Sequence, residues 1–429
     1  MRCAAFCVIG ALIVVGATAA AGLAVPGVQP LPLSYCSPVA FSGSGSPDLL
    51  VVSDLPVYGR ARQGTVADAN AIRSVFEQHR FRAGKYTVGY QSCDDSNPQD
   101  VSGDLSKCAA NAKMYADDPS VVAVIGTWSS ACSEVEIPIT NSAPGGPIVM
   151  VSPTNTLPGL THGAPGTAPG QPRTYYPTGT RSFARLIVPD DAQGAAAALL
   201  AKELRARPMF LLDDRESYGI GVAAGFSRAA ELLDVPVAGR ASWDPNATAF
   251  SALVATVRRA HAAGVFLAGL ECPHCDRLIE ALRAALGPSG PIVVSDGFYL
   301  PDLINSAGAA ANGLYGTLDG LPASKLTAAG TAVAKRFGAG VPDSGGPPYA
   351  AQAAEVILAA IAASNGSRAS VTAHTLDLHV RAGLLGSFRF DANGDIDPGG
   401  VTIDRVVAGH VRLDRTVLVP THLVHARGV

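Results

Sequence analysis

The feature that most constrains this chain is a regular exchange of short apolar runs with longer segments of helical period. Leu49-Leu50-Val51-Val52, bounded by Pro47-Asp48 and Asp54, reads as a buried strand, and Ile72, Val75 and Phe76 then take the spacing of a helix face. Tyr86 to Ser92 returns to strand and Leu105 to Tyr115 to helix. Val121 to Ile125 and Ile148 to Val151 are further apolar runs, the first stopping at Gly126 and the second just before Pro153. Strands that are apolar on both faces and separated by helices require a parallel sheet covered on both sides.

The rhythm breaks between Leu157 and Thr180, where Pro158, Pro165, Pro169 and Pro172 alternate with glycines and mark a loop or lobe border. It restarts with the strand Phe210-Leu211-Leu212 and a helix face of Val222, Phe226, Ala230 and Leu233. A second face, Phe250, Leu253, Val254 and Val257, is expected to close at a C-cap glycine, Gly264. Val265 to Ala268 is a strand, Leu278 to Leu286 a helix ending at Gly287-Pro288, and Ile292-Val293-Val294 a strand. At 429 residues the chain exceeds one ordinary core, and two successive doubly wound α/β blocks result. Ligands of such sheets sit beyond the carboxyl ends of the strands, so the residues just after each apolar run are the ones to inspect.

With 48% hydrophobic and 16% charged residues the chain has ample material for cores. Its net charge of −3, without any run of Lys or Arg, leaves no electrostatic footprint for nucleic acid. No HExxH, nucleophile elbow or zinc-spaced histidine set occurs, so no metal, no cofactor and no enzymatic activity are expected.

The chain starts Met1-Arg2, followed by an uncharged stretch from Cys3 to Val25 before Pro26. Residues 1–25 read as a secretory leader, with cleavage favoured by the small residues from Ala17 to Ala24 and an uncleaved membrane anchor as the alternative. Residues 26–45 read as a linker. Tyr35 before Cys36 disfavours a lipid-anchor site. Outside the leader remain Cys36, Cys93, Cys108, Cys132, Cys272 and Cys275. In an oxidising compartment the expected pairs are Cys93–Cys108, Cys36–Cys132 and Cys272–Cys275, although spacing alone cannot choose among the connectivities.

The strand ends carry a resemblance. Ser53-Asp54-Leu55-Pro56-Val57-Tyr58-Gly59, Cys93-Asp94-Asp95-Ser96, Val124-Ile125-Gly126-Thr127-Trp128-Ser129-Ser130 and Val151-Ser152-Pro153-Thr154-Asn155-Thr156 follow one another in the first block. Asp213-Asp214 with Tyr218-Gly219, Ser295-Asp296-Gly297 and Phe390-Asp391-Ala392-Asn393-Gly394-Asp395 come later. In order and spacing, from about Asp48 to Val419, the chain resembles type I periplasmic binding proteins of the leucine/isoleucine/valine-binding branch.

The resemblance implies two doubly wound parallel-sheet lobes joined by a three-strand hinge. Lobe 1 would span 46–186, lobe 2 187–296, a return to lobe 1 297–385, and a return to lobe 2 with the tail 386–429. It further implies that Ser129, Ser130, Thr154 and Thr156 hold a ligand carboxylate, through hydroxyls and backbone N–H groups that need no buried counter-charge. Asp296 would face the ligand's ammonium group, and Tyr58, Trp128, Tyr218, Leu270 and Phe298 would line the side-chain pocket. Each also has a plain structural use: the serines cap a helix, Asp296 precedes a turn glycine, and Trp128, Leu270 and Phe298 suit a core.

Two motifs compete. Cys272-Pro273-His274-Cys275 follows a strand and precedes a helix, as in thiol–disulfide oxidoreductases, but in the resembled fold it falls on a loop at the cleft rim and suits a structural disulfide. Asp391, Asn393, Asp395 and Asp397 imitate a calcium loop, yet glycine stands at the fourth position, and a turn between Phe388-Arg389-Phe390 and Val401-Thr402-Ile403 explains them. The expected function is therefore that of an exported, monomeric solute-binding protein. It would close around an amino acid or analogue and deliver it to an ABC transporter permease, touching the membrane only through its N-terminal segment. A tethered sensor, and a binder of amides, ureas or aromatic acids, are the alternatives.

Overall fold

The computed structural model describes residues 28–32, 34–59, 62–97, 103–298, 301–338 and 345–424. The leader expected at 1–25 lies outside the described residues.

Six strands form the first sheet: β1 (Leu49–Leu55), β2 (Arg82–Ala83), β3 (Tyr86–Asp94), β4 (Val121–Gly126), β5 (Val149–Ser152) and β6 (Phe183–Arg185), in the order β2-β3-β1-β4-β5-β6. All pairings but the β2–β3 hairpin are parallel. Helices α1 (Arg62–Gln78), α2 (Leu105–Asp117) and α3 (Ser130–Asn141) cover it. Asp104 caps α2 by accepting from the N–H groups of Ser106 and Lys107, as a short carboxylate at a helix start should.

The chain then leaves for the second lobe with α4 (Asp190–Glu203), β7 (Met209–Asp213), α5 (Ser217–Leu232), β8 (Val237–Ser242), α6 (Ser251–Arg259), β9 (Gly264–Ala268), α7 (Cys275–Leu286), β10 (Ile292–Val294), α8 (Pro301–Ala307) and β11 (Leu314–Leu318). Helices α9 (Ala328–Phe337), α10 (Pro347–Ala363) and α11 (Arg368–Leu376) and the small sheet β12 (His379–Gly383), β13 (Gly386–Phe390) and β14 (Ile396–Asp397) return to lobe 1. The guanidinium of Arg368 anchors this return, donating to the carbonyls of Ala116, Val121 and Pro144. The chain ends in lobe 2 with β15 (Gly400–Val407), β16 (His410–Leu418) and α12 (Thr421–Val424). The second sheet runs β16-β15-β11-β10-β9-β7-β8.

Apolar side chains fill both faces of each sheet. In lobe 1, α1 and α10 pack on one face through Ile72, Phe76, Val356 and Ile357. In lobe 2, α4 and α5 cover one face with alanines and Phe226, while α6, α7 and α8 cover the other. Among the described residues no helix is long and apolar enough to cross a membrane.

The chain crosses between the sheets three times, and the second and third crossings differ from the sequence expectation. Strand β11 pairs with β10 and β15 in the second sheet, so the first return begins after Leu318 and not at 297. Strands β13 and β14 pack Phe388 and Phe390 into the lobe 1 core, so the last crossing falls at Pro398-Gly399 and not at 386. A small pocket at the base of the cleft gathers Leu186 and Val188, Gly320 and Leu321, and Pro398 and Gly399, two residues from each crossing.

Three further expectations are corrected. Residues 28–45 are no free linker: Leu31 exchanges hydrogen bonds with the Gln91 side chain, and Cys36 and Ala40 bridge antiparallel to Cys93 and Tyr90 of β3. That course pairs Cys36 with Cys93 and leaves Cys108 and Cys132, in the first turns of the adjacent helices α2 and α3, to join each other. Cys272–Cys275 forms as expected. Finally, α6 ends at Arg259 with Ala260 as its C-cap, His261 takes the left-handed conformation at φ 51°, and Gly264 opens β9.

Candidate functional site

The carboxyl ends of both parallel sheets face the cleft between the lobes, and polar side chains crowd there. On lobe 1 the site is a loop, Gly126 to Ser130, held from behind. Gly126 has φ 145°, and an added Cβ would lie 2.5 Å from the Asp54 carbonyl oxygen, so no larger residue fits. Ser152 Oγ and Asn155 Nδ2 donate to the Thr127 carbonyl at 2.9 and 3.0 Å, and Thr127 Oγ1 lies 3.0 Å from Ser133 Oγ. This buried polar network is closed upon itself, which makes the loop rigid.

It presents the predicted residues in different ways. Ser129 is the N-cap of α3 and accepts from the Ala131 N–H at 3.2 Å. Ser130 begins the helix, its hydroxyl accepting from the Leu157 N–H at 3.3 Å. Thr154 Oγ1 donates to the Trp128 carbonyl at 2.9 Å, and so serves the loop's shape. The Trp128 ring is half-buried against the lobe 1 core. Replacing Ser129 with Ala is expected to cost about 1 kcal/mol of stability, read from urea unfolding, because it orphans a helix-start N–H.

On lobe 2, Tyr218, Leu270 and Asp296 come together. The Tyr218 hydroxyl donates to Asp296 Oδ1, which also accepts from Gln193 Nε2 at 2.6 Å. Gly297 lets Leu270 and Tyr218 close over it; a Cβ there would lie 2.7 Å from Leu270 Cδ2 and 3.1 Å from the Tyr218 ring. Asp214 shapes this wall, its carboxylate accepting from the Leu270 N–H at 2.7 Å and from the Glu216 N–H at 3.1 Å. Leu270 itself is 48% exposed.

The two walls meet at the first crossing, where the Asp190 N–H donates to the Thr156 carbonyl at 2.9 Å and the Thr156 hydroxyl also serves the Asp190 carboxylate. Two predicted residues stand apart. Phe298 is fully buried, edge-on to Trp243 at 5.6 Å, and belongs to the lobe 2 core because the turn after Asp296 drives its ring inward. Tyr58 is 64% exposed and lines a groove with Tyr35, Arg73 and Asp94.

Sequence reasoning missed the residues that tie the hinge. Arg185, at the end of β6 and wholly buried, donates Nε to Asp395 Oδ1 at 2.5 Å and Nη1 to the Leu157 carbonyl at 2.9 Å. His162 bridges Asp191 (2.9 Å) on α4 and Asp395 (3.0 Å) in the β13–β14 turn. Burial alone would lower the imidazole, but hydrogen bonds and charge from the two carboxylates raise it to about 9. Burial would raise Asp395, and Arg185 with His162 instead holds it well below the usual carboxylate range. Asp395 was legible only as a turn residue. Its Asp391-Asn393-Gly394 surroundings do form a turn, but one joining β13 to β14 rather than to Val401-Thr402-Ile403.

Asp54 and Asp95, although they carry the resemblance, face inward, whereas Asp94 pairs with Lys107 at the groove. Asp54 accepts from Asn111 Nδ2 (3.0 Å) and Tyr115 (2.9 Å), and burial pushes its carboxyl up to about 6. Cys272 and Cys275 are both buried at the N-terminus of α7, within the lobe 2 core. That placement keeps the sulfurs from the solvent access a thiol exchanger needs.

Two lobes built on largely parallel sheets, three crossings and polar loops at the strand ends define the type I periplasmic binding protein fold. The chain belongs to the periplasmic binding protein family, whose sequence profile matches residues 65–398. No curated protein matches it. Among solved structures it is similar to a leucine binding protein from Thermotoga maritima, at 22% identity and TM-score 0.67, over 86% of this chain and 98% of that one. It is also similar to a branched-chain amino acid binding protein from Streptococcus pneumoniae in complex with isoleucine, at 16% identity and TM-score 0.66, over 86% and 99%. A solute binding protein from R. palustris in complex with benzoate aligns at 15% identity and TM-score 0.63, over 86% and 96%. At these identities the likeness shows the fold.

Proposed function

We propose that the protein is exported, captures a small amino-acid-like ligand by closing its lobes, and delivers it to an ABC transporter permease. The observation that carries this reading is chemical opposition across the cleft. Lobe 1 offers the start of α3, with Ser129 and Ser130, suited to a carboxylate, while the Thr156 hydroxyl is held by Asp190 at the edge of this wall. Lobe 2 offers Asp296, buttressed by Tyr218 and Gln193, suited to an ammonium group. Closure around a zwitterion pairs both ends, and the three crossings at the cleft base allow the lobes to rotate. Three disulfides fit an oxidising compartment. The solved neighbours in complex with isoleucine and with benzoate hold ligands that share a carboxylate, which supports the lobe 1 assignment above the lobe 2 one.

Isothermal titration of the purified chain against the twenty amino acids and benzoate tests the reading. Ser130→Ala is expected to weaken the bound ligand about tenfold, the loss of one hydrogen bond to a charged group. Tight binding of a sugar together with silence toward every carboxylate would overturn it.

A further inference from the structure

We propose that the cleft takes a ligand with two cationic groups, an amino acid with a basic side chain, in preference to an aliphatic one. This rests on the reading above and names its substrate class. Three carboxylates stand at neighbouring positions around the lobe 2 wall: Asp190 opens α4, Asp296 follows β10, and Asp319 follows β11, the parallel neighbour of β10. Asp319 is 1% exposed and neither of its carboxylate oxygens has a hydrogen-bond partner. Asp190 is 2% exposed with Oδ1 equally unpartnered.

The nearby positive charges are committed elsewhere. Arg185 directs its donors to Asp395, to the carbonyls of Asn155 and Leu157, and to Thr161. His162 binds Asp191 and Asp395. Asp296 has only the neutral donors Gln193 and Tyr218. Among the described residues no ion pair reaches Asp190, Asp296 or Asp319. A buried carboxylate without a partner is destabilising, and one that persists at a ligand cleft fits a partner supplied from outside. Burial keeps Asp319 well above its ordinary range and raises Asp190 to about 7, and a bound cation would favour the ionised form of both.

One metal ion does not fit. The described group of three or more candidate ligands whose atoms lie within 4.8 Å of one another is Asp95 with Cys108 and Cys132, away from this wall. The three cleft carboxylates are more dispersed, and suit an organic cation with two nitrogens several ångströms apart, the second reaching from Asp296 toward Asp319.

The test is titration of the full chain with L-lysine, L-ornithine, L-leucine and benzoate, repeated with Asp319→Asn and Asp190→Asn. Both replacements keep side-chain volume and remove a carboxyl group that would ionise beside a bound cation, and a thermal melt verifies folding. The basic amino acids are expected to bind at least about tenfold tighter than leucine. Asp319→Asn should weaken lysine by about 10- to 100-fold while leaving leucine within about threefold. Leucine or benzoate binding tighter than lysine, or lysine unmoved by both variants, would overturn the inference and leave the solute-binding reading intact. Silence toward all four probes would overturn the inference as well, and the titration against the twenty amino acids and benzoate then decides the solute-binding reading separately.

Discussion

Replacing Arg185 with Met is expected to lower the stability of the protein by about 3–5 kcal/mol, the cost of leaving one partner of a buried ion pair alone. Arg185 is inaccessible to solvent, and its guanidinium satisfies a carboxylate, two carbonyls and a hydroxyl at once. Met fills similar volume without any of those donors, so the packing loss is small and the electrostatic loss dominates. Asp395 would keep a charge with His162 as its remaining cationic partner and the Thr161 hydroxyl as a neutral donor. Adding Asp395→Asn to the variant removes that charge and should recover part of the loss, which a packing defect would not permit. Urea unfolding of the wild type, the single variants and the double variant measures it. A loss below about 1 kcal/mol would show that the ion pair contributes little.

The same contacts bear on motion. Arg185 ends β6, the strand before the first crossing, Asp191 lies in the first turn of the first lobe 2 helix, and Asp395 sits just before the last crossing. His162 and Arg185 therefore clamp the first crossing to the third. The loop carrying His162 also approaches α5, with Gly166 3.7 Å from Gly221 by the reach of an added Cβ. A hinge of three strands bends only if its crossings move together, and a shared charge network couples them more firmly than the apolar pocket beside it.

How much of this the sequence disclosed depends on where the signal was local. Strands β1, β4, β5, β7 and β9 are continuous apolar runs, and their ends led directly to Ser129, Ser130, Thr156 and Asp214-Tyr218. Strand β11 reads Leu-Tyr-Gly-Thr-Leu, which contains no such run; the strand went unseen, the lobe boundary was misplaced, and Asp319 at its end was overlooked. The disulfides failed for a related reason. Cys36 sits beside Cys93 because residues 28–45 lie along β3, an edge pairing that leaves no periodicity in a Pro- and Ser-rich segment. His162 stands in the loop that reads only as a border, and its partners lie 29 and 233 residues away. Long-range polar closure of this kind has no sequence period and emerges only from the fold.

The imidazole at that border makes the last expectation, a stability that falls in alkaline solution. His162 ordinarily titrates at 6.5 and does so at about 9 in the folded chain. The folded state thus holds its proton where the unfolded state has released it, and the derivative of stability with pH is negative across that interval. The contribution is complete below pH 6.5, declines between 6.5 and about 9, and is absent above; a shift of this size corresponds to about 3 kcal/mol. Other buried groups act in the same direction, since burial also raises Asp68 to about 8 and Asp190 to about 7, and each favours the folded state less as pH rises. The wild-type slope alone therefore does not isolate the histidine. His162→Gln keeps hydrogen-bonding capacity without a titratable proton, and the carboxylates remain in both proteins. Urea unfolding at intervals from pH 6 to pH 10 should give a wild-type advantage of about 3 kcal/mol at the acid end that vanishes near pH 10. Parallel curves across that range would mean that the clamp between Asp191 and Asp395 works as a neutral hydrogen bond and carries no charge.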